Sequence, residues 1–324
     1  MRPANHMRVG AIDIGSNSVR LLVAEFPDGP WSREVITVAR AGEACRLGRG
    51  LGRTGRIEPG TAERAAVLAA EFARRARGLG AATILIGATA ALREAENGGE
   101  VAAAIGGRAG IPVRVLSGDE EARMVYRAVV LGLGPTARES SCVVFDIGGG
   151  STEVVSGAGE RTGRWTSLPF GAVSLTERHL TSNPITDAEV AALRAEVRSS
   201  IMHQCAYMPE RSPLFAGVGG TITVLGLLDR ELSSYDPGLL EGWCIRRGRL
   251  EALIGRLLRS SRDERRGWPA MGEGRADIVV AGALVVGLLA ERFPSEGLFC
   301  STQGLRYGLA RLAAQEALDG GASP

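Results

Sequence analysis

Hydrophobic positions at the start of the chain fall into short unbroken runs, and further along into helical spacings. Residues 9–14 have the length and apolar character of a buried strand, and 19–25 repeat it. The tight polar stretch Gly15-Ser16-Asn17-Ser18 between them predicts a β-hairpin rather than a strand-to-helix loop. Apolar groups recur at helical spacing over 58–78, then 82–87 reads as a strand and 91–106 as a second helix. A strand at 113–116 leads through Ser117-Gly118-Asp119 into a helix over 120–131. Strands alternating with helices predict an α/β architecture.

The opening pattern then returns. Residues 141–147 form an apolar strand that ends in Asp146-Ile147 and runs into Gly148-Gly149-Gly150-Ser151-Thr152, with a second strand through Val154 and Val155. Asp13-Ile14 runs into Gly15 to Ser18 in the same way, so the element recurs 133 positions later. A repeat of domain length predicts two similar domains. Helices follow near 187–207 and 249–259, and between them a third glycine-rich stretch, Ala216 to Thr221, succeeds a short apolar strand. A long helix is predicted over 274–292 and a closing helix over 305–318. Residues 1–6, which precede Met7, are expected to lie outside the fold, and 319–324 to form a disordered tail.

Composition removes whole classes of function. A length of 324 residues suits two domains, and with aromatic residues at 5% the cores must be built from Ala, Val, Leu and Ile. There is no lysine, so all 38 basic residues are arginine. That excludes a Walker-type phosphate loop, a protein kinase, and Schiff-base or pyridoxal chemistry. A net charge of +2 offers no field to recruit nucleic acid or a membrane. The five cysteines are scattered and read as reduced core residues of a cytosolic protein, and the three histidines form no zinc-ligand cluster. The apolar stretch 278–290 is too short to span a bilayer.

Two acidic, glycine-rich turns point to phosphate chemistry. Backbone N–H groups of small residues in a turn form an anion-binding nest, and a carboxylate beside it suits a hard cation. One such turn is usually an ordinary hairpin; two copies with Asp13 and Asp146 in the same place argue for a site. Ser117 and Glu120 have capping-box spacing, so the acidic run Asp119-Glu120-Glu121 reads as a helix start and equally as a source of a general base. Glu153, on a strand, faces either solvent or the Asp146 side of the sheet. Arg93 is either a solvated helix residue or a phosphate ligand, and Gly219-Gly220-Thr221 either a third phosphate loop or a structural turn. The groups Arg74-Arg75-Arg77 and Arg262, Arg265, Arg266 read as solvated helix faces, a few of them candidates for a polyanion track.

The segments AIDIGSNSVRLLV, GATAALREAENG, LSGDEEARMVY, FDIGGGSTEVV and LPFGAVSLTERHL resemble the exopolyphosphatase and guanosine pentaphosphate phosphohydrolase family, from about residue 8 to the closing TQGLRYGLARL. The resemblance implies an α/β fold of two ribonuclease-H-like (actin-like) domains with an interdomain active-site cleft. The first domain would cover 8–134, joined by the closing helix 305–318, and the second 135–304. It implies release of the terminal phosphate of polyphosphate, and of guanosine pentaphosphate, by water that Glu121 activates with Glu120 as the helix cap. Phosphates would be held by Gly15, Ser16, Asn17, Ser18, Arg93 and by Gly148, Gly149, Gly150, Ser151, Thr152, with Gly219, Gly220 and Thr221 as a third loop. Mg²⁺ would be held by Asp146 and Glu153, with Asp13 as a further ligand. A cytoplasmic homodimer is expected, without nucleic-acid or membrane partners. Longer members carry additional C-terminal helical domains that are missing after about residue 318 here, which implies short chains as substrates. The competing readings are a sensor of polyphosphate or guanosine tetraphosphate with weak turnover, a small-metabolite kinase of the same superfamily, and an actin-like filament protein.

Overall fold

Strand β1 (Arg8–Ile14) is apolar on both sides because both of its faces are covered. The chain was analysed as a computed structural model, which describes residues 7–272 and 274–320. The expected extension 1–6, and positions 321–324 of the expected tail, lie outside the described residues. The chain divides into two compact units: one runs to Leu131 and resumes at Leu305, and the other is Gly132–Gly304.

In the first unit, β1, β2 (Ser18–Glu25) and β3 (Ile36–Ala44) form an antiparallel meander. It is followed by α1 (Leu51–Thr54), α2 (Pro59–Gly78), β4 (Thr83–Ala88), α3 (Ala90–Glu94), α4 (Gly98–Ala109), β5 (Val113–Val115) and α5 (Gly118–Leu133). Strands β4 and β5 run parallel to β1, giving the order β3-β2-β1-β4-β5 of a ribonuclease-H-like sheet. Alternation sends Ile12 and Ile14 into a core with Leu68, Phe72 and Ile105 of α2 and α4. The sequence reading joined α3 and α4 into one helix; the chain instead breaks at Ala95, which is extended, before Gly98 meets the Leu92 carbonyl too closely for any side chain.

The second unit opens with α6 (Pro135–Arg138) and the meander β6 (Ser141–Ile147), β7 (Thr152–Ala158) and β8 (Arg161–Leu168). Then come α7 (Ala172–His179), α8 (Asp187–Gln204), β9 (Leu214–Val218), α9 (Gly220–Asp229) and α10 (Pro237–Leu240). The unit continues with β10 (Cys244–Arg246), α11 (Arg247–Arg259), α12 (Arg262–Arg266), α13 (Val279–Arg292) and β11 (Gly297–Cys300). The order β10-β11-β9-β6-β7-β8 repeats the first sheet strand for strand, with β10 added at the edge. Helix α13 begins at Val279 rather than at 274, because Gly274 is left-handed (φ +71°) and Arg275 to Ile278 form a turn.

The closing helix α14 (Leu305–Gly320) packs on the first unit and extends two residues past the expected end. Gly87 of β4 lies where a Cβ would strike Leu309 at 2.7 Å, so the helix sits directly on the strand. Its fully buried Arg311 donates to the carbonyls of Pro30 (2.8 Å) and Ser32 (2.6 Å), clamping the β2–β3 connection. Cys45, Cys142, Cys205 and Cys300 are buried, Cys244 is half-buried, and all five are free thiols. Among the described residues no helix is long and apolar enough to cross a membrane.

Candidate active site

In each unit the candidate residues gather at the carboxyl ends of the central strands, where α/β sheets generally bind ligands. In the first unit the Gly15–Ser18 turn follows β1, Thr89 donates its amide to the Ile14 carbonyl (3.2 Å), and Leu116 donates to Ala88 (2.9 Å). The starts of α3 and α5 are thereby tied to the same sheet edge as the turn.

At the start of α5, Glu120 accepts from the Ser117 amide and hydroxyl, both at 3.0 Å, and the Ser117 hydroxyl accepts from the Glu120 amide at 3.2 Å. These bonds, with the Arg114 guanidinium at 2.5 Å, hold the Glu120 carboxyl below the usual range. Glu120 is therefore the cap. Glu121 turns inward and is 7% exposed. Arg93, which the sequence assigned to phosphate, donates Nη1 to Glu121 Oε2 and to the Leu116 carbonyl, both at 3.0 Å. Both of these bonds use Nη1, one of the three nitrogens of the guanidinium fork.

The first turn is gripped from one side. The Ser16 carbonyl accepts from Gly48 (2.8 Å), and the Asn17 carbonyl from Cys45 (3.0 Å) and Arg46 (2.9 Å). A trans peptide points its N–H opposite to its C=O, so the amides of Asn17 and Ser18 face away from this clamp. The second turn is built alike: the Gly148 carbonyl accepts from Ala172 (2.9 Å), and the Gly149 carbonyl from Val173 and Ser174 (3.0 Å each). The amides of Gly149 and Gly150 consequently face away from α7. Gly15 and Gly148 do not belong among the anion donors: their N–H groups close the turns onto Ser18 and Ser151 at 3.0 Å.

The LPFGAVSL motif now has a physical cause. The amides that grip the second turn belong to α7, and Gly171 just before it lets the two backbones meet. A Cβ at Gly171 would lie 2.5 Å from the Gly148 carbonyl oxygen and 2.6 Å from the Gly149 carbonyl carbon, both unyielding backbone. Gly171→Ala is expected to shift the turn, costing about 1–3 kcal/mol of stability and most of the catalytic activity. Thermal unfolding alongside steady-state rates checks this, and an unchanged KM and kcat would show that the turn tolerates displacement.

Two expected phosphate ligands have their side chains engaged in packing. Thr152 is fully buried, and its hydroxyl donates to the Phe170 carbonyl at 2.8 Å, tying β7 to the segment before α7. Thr221 is 3% exposed with its side chain against Gly282 of α13, where a Cβ would sit 2.2 Å from its Oγ1. Gly219 and Gly220 remain at the site. Gly219 (φ +103°) places the start of α9 where a Cβ would be 2.9 Å from Asp146 Oδ1, and a Cβ on Gly304 would be 3.9 Å from Oδ2. The Asp146 carboxylate is thus flanked by glycine backbone. Against Gly220 lies the Arg275 guanidinium, whose Nη1 would be 2.0 Å from a Cβ there. Sequence reading missed Arg275, since a single arginine in a presumed helix carries no signal.

The arginine groups also separate. Arg265, read as solvated, is 2% exposed and donates to the carbonyls of Ala276 (2.9 Å), Ser260 (2.5 Å) and Leu257 (3.3 Å), so it braces the turn that carries Arg275. Arg262 and Arg266 are paired with Asp277.

The two hairpins differ at one decisive position. Asp13 stands opposite Arg20 across the β1–β2 ladder, whereas Asp146 stands opposite Glu153 across β6–β7. Directly opposed residues share a face of the sheet. Glu153 is 3% exposed and accepts from the Ser167 hydroxyl at 3.0 Å, which excludes the solvent-facing reading. The second unit therefore sets two carboxylates side by side, an arrangement a hard cation turns from repulsion into attraction. The first sets a carboxylate against a guanidinium. Among the described residues no group of three or more Asp, Glu, His or Cys side chains is placed to hold a metal.

Burial pushes the Asp13 carboxyl up, outweighing the opposing pull of Arg20 and Arg306. A carboxyl raised on folding stabilises the fold below about pH 4, and that contribution is lost as pH rises through the raised value. Asp13→Asn is accordingly expected to melt higher than wild type near pH 8, the difference vanishing toward pH 4. Unfolding curves across that range test it, and a variant that melts lower at pH 8 would mean that its arginine pairing outweighs desolvation.

Residues 28–314 match the Ppx/GppA phosphatase family. Exopolyphosphatase 2 of Mycobacterium tuberculosis is 34% identical over 316 residues, 94% of this chain and 97% of that protein. The crystal structure of the Aquifex aeolicus Ppx/GppA family member superposes with a TM-score of 0.81 at 30% identity, covering 98% of this chain and 99% of that one. An exopolyphosphatase-like protein of known structure gives 0.88 at 28% identity, with 96% and 99% covered. Fold and site define a two-domain α/β phosphatase, a hydrolase. The chain belongs to the Ppx/GppA phosphatase family.

Proposed function

We propose that this protein is an Mg²⁺-dependent exopolyphosphatase. The observation that carries the reading is the cross-strand pairing of Asp146 with the buried Glu153 beside a glycine turn: two carboxylates on one face of the sheet offer paired hard oxygen donors to a cation. Two aligned hard oxygen donors suit Mg²⁺, which keeps waters and binds through one or two carboxylates plus substrate phosphates. When bound there, the ion supplies positive charge to the phosphate oxygens.

The chain's own residues account for the remaining steps. In the first unit the amides of Asn17 and Ser18 bind phosphate oxygens, with a charge-assisted hydrogen bond from Arg93; in the second the amides of Gly149 and Gly150 bind phosphate oxygens, with the Arg275 guanidinium against Gly220. Glu121 accepts a proton from a water aligned with the terminal phosphorus. The new P–O bond forms as the bond to the bridging oxygen breaks, and its electron pair remains on the shortened chain. Inorganic phosphate leaves. Arg93, hydrogen-bonded to Glu121, keeps that carboxylate oriented before attack.

This reading predicts phosphate release from tripolyphosphate and longer chains that stops when Mg²⁺ is chelated, with ATP a poor substrate. Parallel assays with guanosine pentaphosphate decide whether the nucleotide is hydrolysed too. Transfer of phosphate from ATP to a metabolite would support the kinase reading, and tight polyphosphate binding without release the sensor reading. Either result would overturn the proposal.

A further inference from the structure

A long polyphosphate has one reacting end and many internal phosphates, and the turns described above account only for the end. We propose that Arg46, Arg49 and Arg53 form a lane that binds the internal phosphates of a long chain as it leaves the first turn. This rests on the exopolyphosphatase reading.

The lane begins at the turn itself. Cys45, Arg46 and Gly48 donate their amides to the Ser16 and Asn17 carbonyls, so residue 46 sits against the wall of the phosphate nest. From there the backbone is fixed. Arg49 donates to the Arg46 carbonyl (3.0 Å), Leu51 to Gly48 (3.2 Å), and Gly55 to Leu51 (2.8 Å). Leu47 and Ile57 are buried in the core of the unit, which anchors the segment and leaves the three arginines exposed. Arg46 is one of two non-glycine residues among those described with a left-handed backbone, at φ 52°. That conformation costs about 1–2 kcal/mol, and the paired bonds to Asn17 hold it.

Charge supplies the second argument. Several exposed arginines of this unit are neutralised nearby: Arg56 by Glu96, Arg108 by Glu63, Arg114 by Glu120. Among the described residues, the guanidinium groups of Arg46, Arg49 and Arg53 have no hydrogen-bond or ion-pair partner. Arg64 lies close enough to act on the Cys45 thiol, adding to the positive field at the start of the lane. The only acidic side chains bordering the segment in sequence are Glu43 before it and Glu58 after it. Three unneutralised cations in succession suit a ligand with regularly repeated negative charge, since each contact adds a small screened attraction.

The test uses the full chain carrying R49Q/R53Q, with R49K/R53K as the charge-preserving control; Arg46 is left in place because its backbone holds the turn. Phosphate release is measured on tripolyphosphate and on long polyphosphate. The glutamine pair should raise KM for the long chain about fivefold, two exposed contacts at roughly half a kcal/mol each, and leave tripolyphosphate within about twofold. Lysine should restore most of the loss, and the salt dependence of the long-chain KM should flatten in the glutamine variant. An unchanged long-chain KM, or an equal effect on both substrates, would overturn the lane. If wild type releases phosphate from neither substrate, the exopolyphosphatase reading fails by itself. Equilibrium binding of long polyphosphate then judges the lane: weaker binding by R49Q/R53Q keeps it, equal binding ends it.

Discussion

Glu121→Gln is expected to lower kcat for polyphosphate hydrolysis by about 10³-fold while KM stays level or falls. The amide has the shape of the carboxylate and can still accept from Arg93 through its oxygen, so the 3.0 Å contact survives and the start of α5 remains capped by Glu120. The proton acceptor is lost. The negative charge opposite Arg93 is lost as well, which frees the guanidinium to bind phosphate more strongly and pulls KM down rather than up. A merely structural glutamate predicts the reverse, with the melting temperature falling and kcat little changed. Steady-state kinetics, substrate binding and thermal unfolding on one preparation separate the two, and a kcat within about threefold of wild type would remove Glu121 from the chemistry.

Asp146→Asn is expected to lower the rate and to weaken its response to Mg²⁺. Its carboxylate stands beside that of Glu153 across the ladder, and glycine backbone at Gly219 and Gly304 borders it. Losing one of two hard oxygen donors should cut the rate about 10²-fold and raise the Mg²⁺ concentration for half-maximal activity by about 10-fold or more. Added Mg²⁺ should stabilise wild type and not the variant, because a ligand stabilises the state that binds it. An unaltered Mg²⁺ dependence would show that the ion is held elsewhere.

The comparison of the two hairpins shows how far residues alone can be read. The repeat of Asp-Ile-Gly was legible in one dimension, and so were both turns, because strand–turn–strand is a local pattern that neighbouring residues enforce. The capping box at Ser117 and Glu120 was legible for the same reason, while the assignment of the base to Glu121 came from the family resemblance and not from the spacing. The partners of the two aspartates were not. Arg20 and Glu153 stand at equivalent places in the repeat, yet only the cross-strand register turns one into a counter-charge and the other into a second carboxylate. The side chains of Thr152 and Thr221 were not legible either: their burial and their contacts, with Phe170 and with Gly282, come from elements distant in the chain.

By itself, then, the sequence determined the α/β class, the duplicated hairpin, the phosphate-handling motifs, and the exclusion of lysine-dependent chemistry, since composition and short-range spacing suffice for these. Tertiary structure decided which amides of each turn face an anion, that Arg265 is buried and Arg275 meets the start of α9, and that Glu153 joins Asp146 while Asp13 faces Arg20. Those outcomes depend on register, on close backbone approach at glycines such as Gly171, and on desolvation. Each arises from residues far apart in the chain, where neighbouring sequence exerts no constraint.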